Sequence, residues 1–290
     1  MTLINVDFLS LCAVSIITYT FIKFLYMTPD ITKMPSNNEP LNPITNGLSY
    51  NLIIARYNES LEWLNRSNYI NQFNTIKCYN KGDNIPYCPD KKCKIIPLPN
   101  IGRCDHTFLY HIINNYNNLA NLTVFLPASC LDHHKIKTTY KLMYLVDKTQ
   151  TTVFLGKPYN NVREQLGRLF INRHVATNEV NQKANPETQL LPCPIRPFGR
   201  WYDAMFGDIV AKIVCYFGVF AVAKEHIIQH PIEKYERLIK YVNNSSNPEA
   251  GHYMERSWGA IFYPYPESCI YNAGTLEILK VALENIKKYL

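Results

Sequence analysis

The chain has 290 residues, of which 47 % are hydrophobic and 18 % are charged, and its formal net charge is +7. This composition excludes a chain that is disordered throughout, because so much apolar side chain can form a large core. The positive charge favours anionic partners. The sequence has no arginine-rich arm, RNA-binding signature or zinc-finger spacing, so nucleic acid is not an expected partner.

The first predicted element is a membrane-spanning helix. Residues 8–27 form an almost uninterrupted apolar run of the length that a bilayer-spanning helix needs. A cleaved signal peptide is the alternative, but the N-terminal flank carries Asp7 and neither lysine nor arginine. We therefore expect an uncleaved single-pass anchor over residues 1–27, a Pro-, Asn- and Ser-rich stem over residues 28–48, and a folded domain over residues 49–290.

Two features of the sequence predict opposite sides of the membrane for the folded domain. Lys23 and Lys33 flank the anchor and would keep the domain cytoplasmic by the positive-inside tendency. Cysteines outside the anchor form an even set, as disulfides would require, and several glycosylation sequences are present. The cysteines are Cys78, Cys88, Cys93, Cys104, Cys130, Cys193, Cys215 and Cys269, and the glycosylation sequences begin at Asn58, Asn65, Asn121, Asn243 and Asn244. We expect a lumenal or exterior domain.

Strand-like and helix-like segments alternate through the folded domain. Short apolar runs bounded by polar turns are typical of buried strands, and longer runs with a 3.6-residue period are typical of helices. Strands are expected at 50–55, 75–79, 122–126 and 216–222, a hairpin at 141–146 and 151–155, loops at 81–99 and 177–200, and helices at 61–65, 103–119, 162–171, 224–229, 232–242 and 275–289. This alternation predicts an α/β fold with a mainly parallel, Rossmann-like sheet flanked by helices.

Residues 250–262 have the most distinctive arrangement of charges. Wound as one helix, this segment places its large apolar side chains on one side and His252, Glu255, Arg256 and Gly259 on the other. The polar side is either a solvated face or the wall of a site. Gly259 favours a site, because an interior helical glycine costs roughly 1 kcal/mol relative to alanine and leaves space for another molecule.

Arg56, Asn58 and Glu59 follow directly after the first predicted strand. Ligands of open α/β sheets bind beyond the carboxyl ends of the strands, so these side chains are expected near a ligand. Arg56 is suited to a phosphate, and Asn58 or Glu59 to a base or ribose. The alternative is an ordinary turn with an Arg–Glu pair.

Asn100, Arg103 and His106 lie at the start of a predicted helix, whose N-terminus is suited to hold an anion. Asp105 in the same turn is interpreted as compensation of the helix dipole.

Arg200 and Trp201 belong to RPFGRWY at residues 196–202. Arginines beside aromatic rings can stack on a sugar or base and hold a charged group. The alternative is an aromatic segment that closes over the core.

Cofactor and metal motifs are absent from the sequence. The histidines and cysteines lack a recognised zinc spacing. There is no nucleophile elbow, no GxxxxGK[ST] and no GxGxxG, and the chain contains no Asp-x-Asp.

The motifs, taken in order, resemble a family of uncharacterised proteins that carry a domain of unknown function and occur mainly in fungi and some large viruses. They are ARYNESLEWL, YNKGDN, LPNIGRCDHTFLYHIINNYNNLANLTVFL, RPFGRWY, GVFAVAKEHI and NPEAGHYMERSWGAIF, over residues 51–263. The family is similar to glycosyltransferases of the GT-A fold, in particular to the metal-independent branching N-acetylglucosaminyltransferases. The likeness lies in GVFAVAKEHI followed by NPEAGHYMERSW, where a strand precedes a loop with the catalytic glutamate.

This resemblance implies a membrane-anchored enzyme that transfers a sugar from a nucleotide sugar to a glycan or protein acceptor. Glu255 corresponds to the base that removes a proton from the acceptor hydroxyl. Arg256, or a neighbouring basic residue such as Arg200, would offset charge on the departing diphosphate. The missing Asp-x-Asp agrees with a reaction that needs no divalent metal. The expected substrate-binding residues are Arg56, Asn58, Glu59, Asn100, Arg103, His106, Arg200, Trp201 and His252.

Two places depart from the family pattern. Pro127 and Ala128 stand where the family has a Gln-Gly pair, and Cys104 stands where it usually has a glutamate. Because both places lie near the expected donor pocket, the alternative prediction is a catalytically inactive relative that serves as a surface or envelope binding protein. A further alternative is a cytoplasmic-facing membrane protein whose basic face binds phosphorylated partners.

Overall fold

The computed structural model describes residues 47–274 apart from residue 67 and residues 173–189. The predicted anchor, all but the last two residues of the predicted stem, and the helix predicted at 275–289 lie outside the described residues. Within the described ranges, no helix is both long and apolar enough to cross a membrane.

Eight strands are present in the described residues. They are β1 (Tyr50–Arg56), β2 (Thr75–Asn80), β3 (Cys93–Pro97), β4 (Leu122–Pro127), β5 (Phe154–Pro158), β6 (Ile213–Val214), β7 (Phe220–Ala223) and β8 (Ile270–Asn272). Five of them form the main sheet in the order β3-β2-β1-β4-β7. β1 pairs in parallel with both β2 and β4, β3 is parallel to β2, and β7 runs antiparallel to β4. The predicted, mainly parallel sheet is confirmed, with one antiparallel edge.

Helices cover both faces of this sheet. Those in the described residues are α1 (Arg103–Asn115), α2 (Ile136–Thr149), α3 (Val162–Leu166), α4 (Phe198–Phe206), α5 (Lys224–Ile228), α6 (Ile232–Ile239), α7 (Glu249–Glu255) and α8 (Trp258–Ile261). Short 3-10 turns occur at Glu62–Arg66, Asn68–Gln72, Tyr116–Asn118, Tyr216–Gly218 and Glu267–Cys269.

The apolar side chains of β1 alternate between two cores. Ile53 and Ala55 pack in one core with α1, α4, α6, α7 and α8. Leu52 and Ile54 pack in the other core with α2 and the residues of the first 3-10 turn. Burial on both faces explains why the parallel strands read as continuous apolar runs.

A small second sheet has the order β6-β5-β8. β5 is antiparallel to β6 and parallel to β8, and a bridge between Val153 and Ala221 links this region to β7. The sequence analysis does not predict this sheet, because β6 and β8 have only two and three residues and show no readable pattern.

The hairpin predicted to begin at residue 141 is wrong, because this segment belongs to α2. Thr139, Leu142, Met143 and Val146 are buried on α2. Their spacing of i, i+3, i+4 and i+7 is that of one helix face. The β-branched and aromatic residues of the segment favour a strand locally, but burial of this face decides the structure.

The single helix predicted over residues 250–262 is also wrong, because α7 ends at Glu255 and α8 begins at Trp258. The Ser257 hydroxyl donates to the carbonyl oxygen of Tyr253 at 2.8 Å, and such a side-chain bond commonly bends or interrupts a helix.

Gly259 does not leave space for a ligand. A Cβ atom at this position would lie 2.9 Å from Ile213 Cγ2 and 2.9 Å from the Tyr265 hydroxyl. The glycine therefore allows α8 to pack closely on β6, and the space beside it is filled by the protein.

Four smaller boundaries differ from the predictions. The loop predicted over 81–99 contains β3, whose exposed residues are a lysine and a proline, and these hide the strand pattern. The loop predicted over 177–200 extends into α4, the helix predicted over 162–171 ends at Leu166, and the strand predicted over 216–222 begins at Phe220.

Trp201 lies in an aromatic part of the core. Its side chain is fully buried, and its ring centroid lies between 5.6 and 6.3 Å from the rings of Phe198, Phe206, Tyr241 and Tyr253. Of the two interpretations of RPFGRWY, the structure shows the aromatic segment that closes over the core.

We expect Trp201→Ala to lower the free energy of unfolding by roughly 3–5 kcal/mol, because it leaves a large void in a packed core. Chemical denaturation of the variant and the wild type measures this. Tyr87→Ala is the control, since Tyr87 is 78 % exposed, and its effect should stay below about 0.5 kcal/mol. Equal effects of the two substitutions would contradict the core position of Trp201.

Candidate functional site

A cavity of about 400 Å³ lies at the carboxyl ends of the parallel strands. Arg56 at the end of β1, Lys81 just after β2 and Pro127 at the end of β4 all line it. The strand order reverses between β1 and β4, and in open α/β sheets ligands bind at such a reversal. The cavity therefore has the position predicted from the strand-end residues.

The cavity carries more positive than negative side chains. Among the described residues, five lysines or arginines and three aspartates or glutamates line it. The described lining residues are Ala55, Arg56, Tyr57, Glu59, Lys81, Asn100, Arg103, Cys104, Asp105, Pro127, Ser129, His134, Lys135, Ile171, Tyr216, Phe217, Ser246, Asn247, Gly251, His252, Glu255 and Arg256. This composition favours an anionic ligand.

Most of the site residues predicted from the sequence meet at this cavity. Those that line it are Arg56, Glu59, Asn100, Arg103, His252, Glu255 and Arg256. Asn58, His106, Arg200 and Trp201 are not among the lining residues.

These four residues lie elsewhere in the fold. Trp201 is in the core, and Arg200 beside it is exposed. His106 is buried on α1, and burial lowers its pKa to about 4, so its ring is neutral. Asn58 packs against Gly82, where a Cβ atom would lie 2.1 Å from Asn58 Oδ1.

Arg56 holds the rim of the cavity together. Its Nε donates to the carbonyl oxygen of Glu59 at 2.6 Å, its Nη1 to Asn80 Oδ1 at 2.5 Å, and its Nη2 to Asn84 Oδ1 at 3.0 Å. Glu59 Oε2 in turn accepts the N–H of Tyr57 at 2.7 Å. Arg56 thus uses most of its five donors to fix the loops after β1 and β2, and it forms a wall of the cavity.

α1 begins at the cavity, and a glycine makes this entry possible. Gly102 precedes the helix with φ of 61°, and a Cβ atom there would lie 1.9 Å from the carbonyl oxygen of Val242. Its N–H donates to the carbonyl oxygen of Ser245 at 2.7 Å. Only glycine fits this backbone position. The free N–H groups and the dipole of the first helical turn favour an anion in the cavity.

Three titratable groups lie side by side at this end of α1. Lys81 Nζ donates to the carbonyl oxygen of Ile101 at 2.5 Å and also to that of Arg103. Cys104 Sγ donates to Asp105 Oδ2 at 3.7 Å. The other carboxyl oxygen of Asp105, Oδ1, is buried and accepts no hydrogen bond from any residue that the structure describes.

Burial changes the charge states of these groups. Burial, together with the nearby Glu255 carboxylate, raises the pKa of Asp105 to about 7. Burial also lowers the pKa of Lys81 to about 7, and it raises the pKa of the Cys104 thiol well above its usual value. Asp105 and Lys81 therefore both change charge near neutral pH, whereas the Cys104 thiol stays protonated.

Glu255 faces the same cavity from the last turn of α7. Its Oε1 accepts the N–H of Phe217 at 2.8 Å, and its Oε2 lies 3.2 Å from Nη1 of Arg256. Arg256 Nη1 also donates to the carbonyl oxygen of His252 at 2.7 Å, and its guanidinium carbon lies 5.5 Å from the ring centroid of Tyr216. The Glu255 side chain is fixed in place but remains 21 % exposed, so a ligand can reach it.

Phe217 presents its N–H to Glu255 from an uncommon backbone conformation. Its φ is 69°, in the left-handed region that non-glycine residues rarely adopt. Its ring packs edge-on against His134 at 5.2 Å between centroids. Such strain persists where the surrounding structure holds it, and it is common at functional sites. No pattern in the sequence marks this residue.

Glu249 anchors the start of α7 and was not predicted as a site residue. Its fully buried carboxylate accepts the N–H groups of Ile171 and Cys193 at 2.8 Å each and the Tyr253 hydroxyl at 2.7 Å. Arg196 Nε lies 2.9 Å from Glu249 Oε2. The contacts with Ile171, Cys193 and Arg196 attach the helix that carries His252 and Glu255 to neighbouring segments, and the Tyr253 hydroxyl bonds to Glu249 within the helix.

The cysteines do not form the set of disulfides that their even number suggested. Among the described residues, one disulfide joins Cys88 to Cys93, the first residue of β3. The free cysteines in the described part of the chain are Cys78, Cys104, Cys130, Cys193, Cys215 and Cys269. Among the described residues, no group of three or more His, Cys, Asp or Glu side chains is arranged to hold a metal ion.

A family model described as "Protein of unknown function (DUF3431)" matches residues 52–276. The chain belongs to the DUF3431 family. No curated protein shows significant sequence similarity to it. Among solved structures, it is similar to glucosyl-3-phosphoglycerate synthase from Mycobacterium tuberculosis in complex with uridine diphosphate. The identity is 9 %, the alignment covers 80 % of this chain and 75 % of that chain, and the TM-score is 0.34.

The match to the DUF3431 family covers the described part of the cavity. Each lining residue that the structure describes, from Ala55 to Arg256, falls within the matched segment. The site is therefore part of the DUF3431 domain itself.

We expect Asp105→Asn to stabilise the DUF3431 domain near pH 8 and to lose this advantage near pH 4. The folded wild type keeps the Asp105 proton up to a pKa of about 7, whereas an unfolded aspartate releases it near pH 4. Wild-type stability therefore falls, relative to the variant, as the pH rises from about 4 through about 7.

Thermal unfolding of both proteins across this range tests the expectation. Asp208→Asn is the control, because Asp208 is exposed. A constant difference in unfolding temperature between wild type and Asp105→Asn over the whole range would contradict it.

Proposed function

We propose that the cavity binds a nucleotide sugar and that the protein transfers the sugar to an acceptor hydroxyl, with Glu255 as the base. The observation that supports this most directly is a carboxylate held by two donors at a cation-rich cavity, beside the N-terminus of α1. The resemblance of the GVFAVAKEHI and NPEAGHYMERSW motifs to metal-independent GT-A glycosyltransferases supports the same role for Glu255.

The diphosphate is proposed to bind at the start of α1. Lys81 uses two donors on backbone carbonyls, and an ammonium group has a third donor for a phosphate oxygen. Arg103 uses Nη1 for Asn247 Oδ1 at 3.1 Å and lines the cavity with the rest of its side chain. The helix N-terminus adds N–H groups and a favourable dipole. These groups supply positive charge without a divalent metal.

The proposed transfer is a single displacement at the anomeric carbon. Glu255 takes the proton of the acceptor hydroxyl, and the hydroxyl oxygen forms a bond to the anomeric carbon. The bond from that carbon to the diphosphate oxygen breaks, and the diphosphate leaves with the electron pair. Lys81, Arg103 and Arg256 offset the charge that develops on the diphosphate.

A second candidate is a protein that binds a nucleotide sugar without transferring it. Cys104 and Pro127, the places that depart from the family pattern, both line the cavity. Replacement of a glutamate by a half-buried, protonated thiol removes a charge beside Asp105. This arrangement favours binding over turnover if the lost glutamate had a role in the reaction.

We also propose that the domain faces an oxidising compartment, anchored by residues 1–27, with a glycan or protein acceptor. The disulfide between Cys88 and Cys93 supports this location, because disulfides persist mainly in secreted and lumenal proteins.

We expect Glu255→Gln to slow sugar transfer or donor hydrolysis by roughly 100- to 10,000-fold, because the amide keeps the shape of the side chain but cannot take a proton. The affinity for the donor should change less than about threefold. Released nucleoside diphosphate gives the rate, and calorimetric titration with uridine diphosphate glucose and guanosine diphosphate mannose gives the affinity.

Glu267→Gln is the matched control for this experiment, because Glu267 is exposed and pairs with Lys212 away from the cavity. It should leave both quantities unchanged. Unchanged turnover in Glu255→Gln would remove Glu255 from the mechanism. Wild-type protein that binds a donor but never turns it over would favour the second candidate, and wild-type protein that binds no nucleotide sugar would reject both.

We expect the affinity for uridine diphosphate glucose to fall several-fold between about pH 6 and about pH 8. Over this range Lys81 loses its positive charge and Asp105 gains a negative charge, since both have a pKa of about 7. Both changes weaken the binding of an anion. The two phosphates of a nucleotide sugar are diesters and do not titrate here, so the change reports the protein.

Calorimetric titration at the two pH values measures this effect. Lys81→Met should bind more weakly at the lower pH and show a smaller decline, whereas Lys91→Met should behave like the wild type, because Lys91 is exposed outside the cavity. A wild-type affinity that is independent of pH would contradict the proposed role of Lys81.

A further inference from the structure

The carboxyl group of Asp105 lies in the cavity wall without a role in the proposed transfer. The residue is 2 % exposed, and its Oδ1 accepts no hydrogen bond from any part of the chain that the structure describes. A buried polar oxygen without a partner is unfavourable. A ligand group that donates a hydrogen bond would remove this penalty when it enters the cavity.

The position of this carboxyl relative to α7 shows which part of a ligand would reach it. A Cβ atom placed on Gly251 would lie 3.6 Å from Asp105 Oδ2 and 3.6 Å from Arg103 Cδ. Gly251 precedes Glu255 by four residues, so both are on the same face of α7, about one turn or roughly 5–6 Å apart. Asp105 therefore lies about one helical turn from the proposed base.

Two cations also lie near Asp105. Arg103 precedes it on α1, and Lys81 donates to the backbone carbonyl of Arg103. If the diphosphate binds these cations and the anomeric carbon lies near Glu255, the sugar ring occupies the space between them. Asp105 lines the same cavity, and its carboxyl is proposed to border that space.

We propose that Asp105 binds a hydroxyl group of the donor sugar, so that the cavity selects a nucleotide sugar over the free nucleoside diphosphate. This inference rests on the proposed function. A sugar hydroxyl can donate to a carboxylate or to the carbonyl oxygen of a protonated carboxyl, so it suits either charge state of Asp105. A phosphate oxygen does not, because it is mostly deprotonated at neutral pH and would be repelled by the ionised carboxylate.

Gly251 leaves the carboxyl open on the side of α7. A methyl group at this position would meet its neighbours at ordinary contact distances of 3.6 to 3.8 Å. Gly251→Ala is therefore compatible with the fold, yet it places a carbon atom beside the carboxyl. It provides a steric test that does not alter Asp105.

Calorimetric titration with uridine diphosphate glucose and with uridine diphosphate, on the full chain, tests the proposal. We expect Asp105→Ala to weaken the binding of uridine diphosphate glucose by roughly 10- to 100-fold, the usual loss of a hydrogen bond to a charged group. The affinity for uridine diphosphate should stay the same or rise slightly, because a negative charge is removed. Asp105→Asn should keep most of the selectivity, since the amide oxygen still accepts a hydrogen bond.

Gly251→Ala should reduce the affinity for the nucleotide sugar and not that for uridine diphosphate, with thermal unfolding as the check that it folds. An analogue of uridine diphosphate glucose that lacks the bound hydroxyl should bind wild type as weakly as the parent compound binds Asp105→Ala. The affinity of this analogue should be the same for Asp105→Ala as for wild type.

The outcomes separate this inference from the proposed function. Equal losses for both ligands in Asp105→Ala would place the carboxyl at the base or ribose and overturn the inference. Unchanged affinities in both Asp105→Ala and Gly251→Ala would also overturn it, while tight wild-type binding of uridine diphosphate glucose would leave the proposed function standing. Wild-type protein that binds neither ligand would reject the proposed function itself.

Discussion

The parallel pairing of β1 with both β2 and β4 is the constraint on which the cavity depends. The register places Arg56 opposite Asn80, and Ala55 opposite Pro127. The three strands therefore end side by side at one edge of the sheet. The register alone places the residues that follow them close together. Both faces of the sheet are buried in separate cores, so this register is strongly specified. The sheet therefore fixes the positions of the cavity residues at the strand ends.

Polar groups at this edge are satisfied mainly by backbone atoms and loops. Arg56 fixes the rim through carbonyl and amide oxygens, and Lys81 binds two carbonyls at the start of α1. Glu255 takes one backbone N–H from a residue with positive φ. Asp105 differs from these, because one oxygen of its carboxyl finds no partner among the described residues. A cavity residue whose buried oxygen has no partner among the described residues is prepared for a hydrogen-bond donor from outside.

Sequence patterns predict the central strands and some of the cavity residues. The other residues and elements are not predicted, and each has a physical reason. The strand-end rule finds Arg56 and Glu59, and the same rule applied to the second strand leads to Lys81. The sequence analysis predicts that Trp201 binds substrate, because a segment rich in arginine and aromatic residues has the same sequence pattern in a binding loop and in a segment that covers the core. Phe217 has no sequence signal, since its role comes from a backbone angle that glycine usually adopts. The sequence analysis predicts a hairpin for the α2 segment because its local β propensity is given more weight than its helical spacing. In the folded chain, burial of one face makes the segment a helix.

Glu249 has a consequence for how loss of function is distributed over this chain. One carboxylate receives a donor from Tyr253 on the same helix and donors from Ile171, Cys193 and Arg196, which lie far earlier in the sequence. The orientation of α7 is therefore set jointly by these three earlier residues, of which Ile171 and Cys193 use backbone N–H groups. Substitution of Glu249 removes all of these contacts at once, and substitutions of Glu249 and Arg196 do not act independently. Inactivating changes will accumulate at residues that touch no ligand, and a genetic map of such changes will extend well beyond the cavity. These positions are spread along the sequence because they all depend on one acceptor, the Glu249 carboxylate.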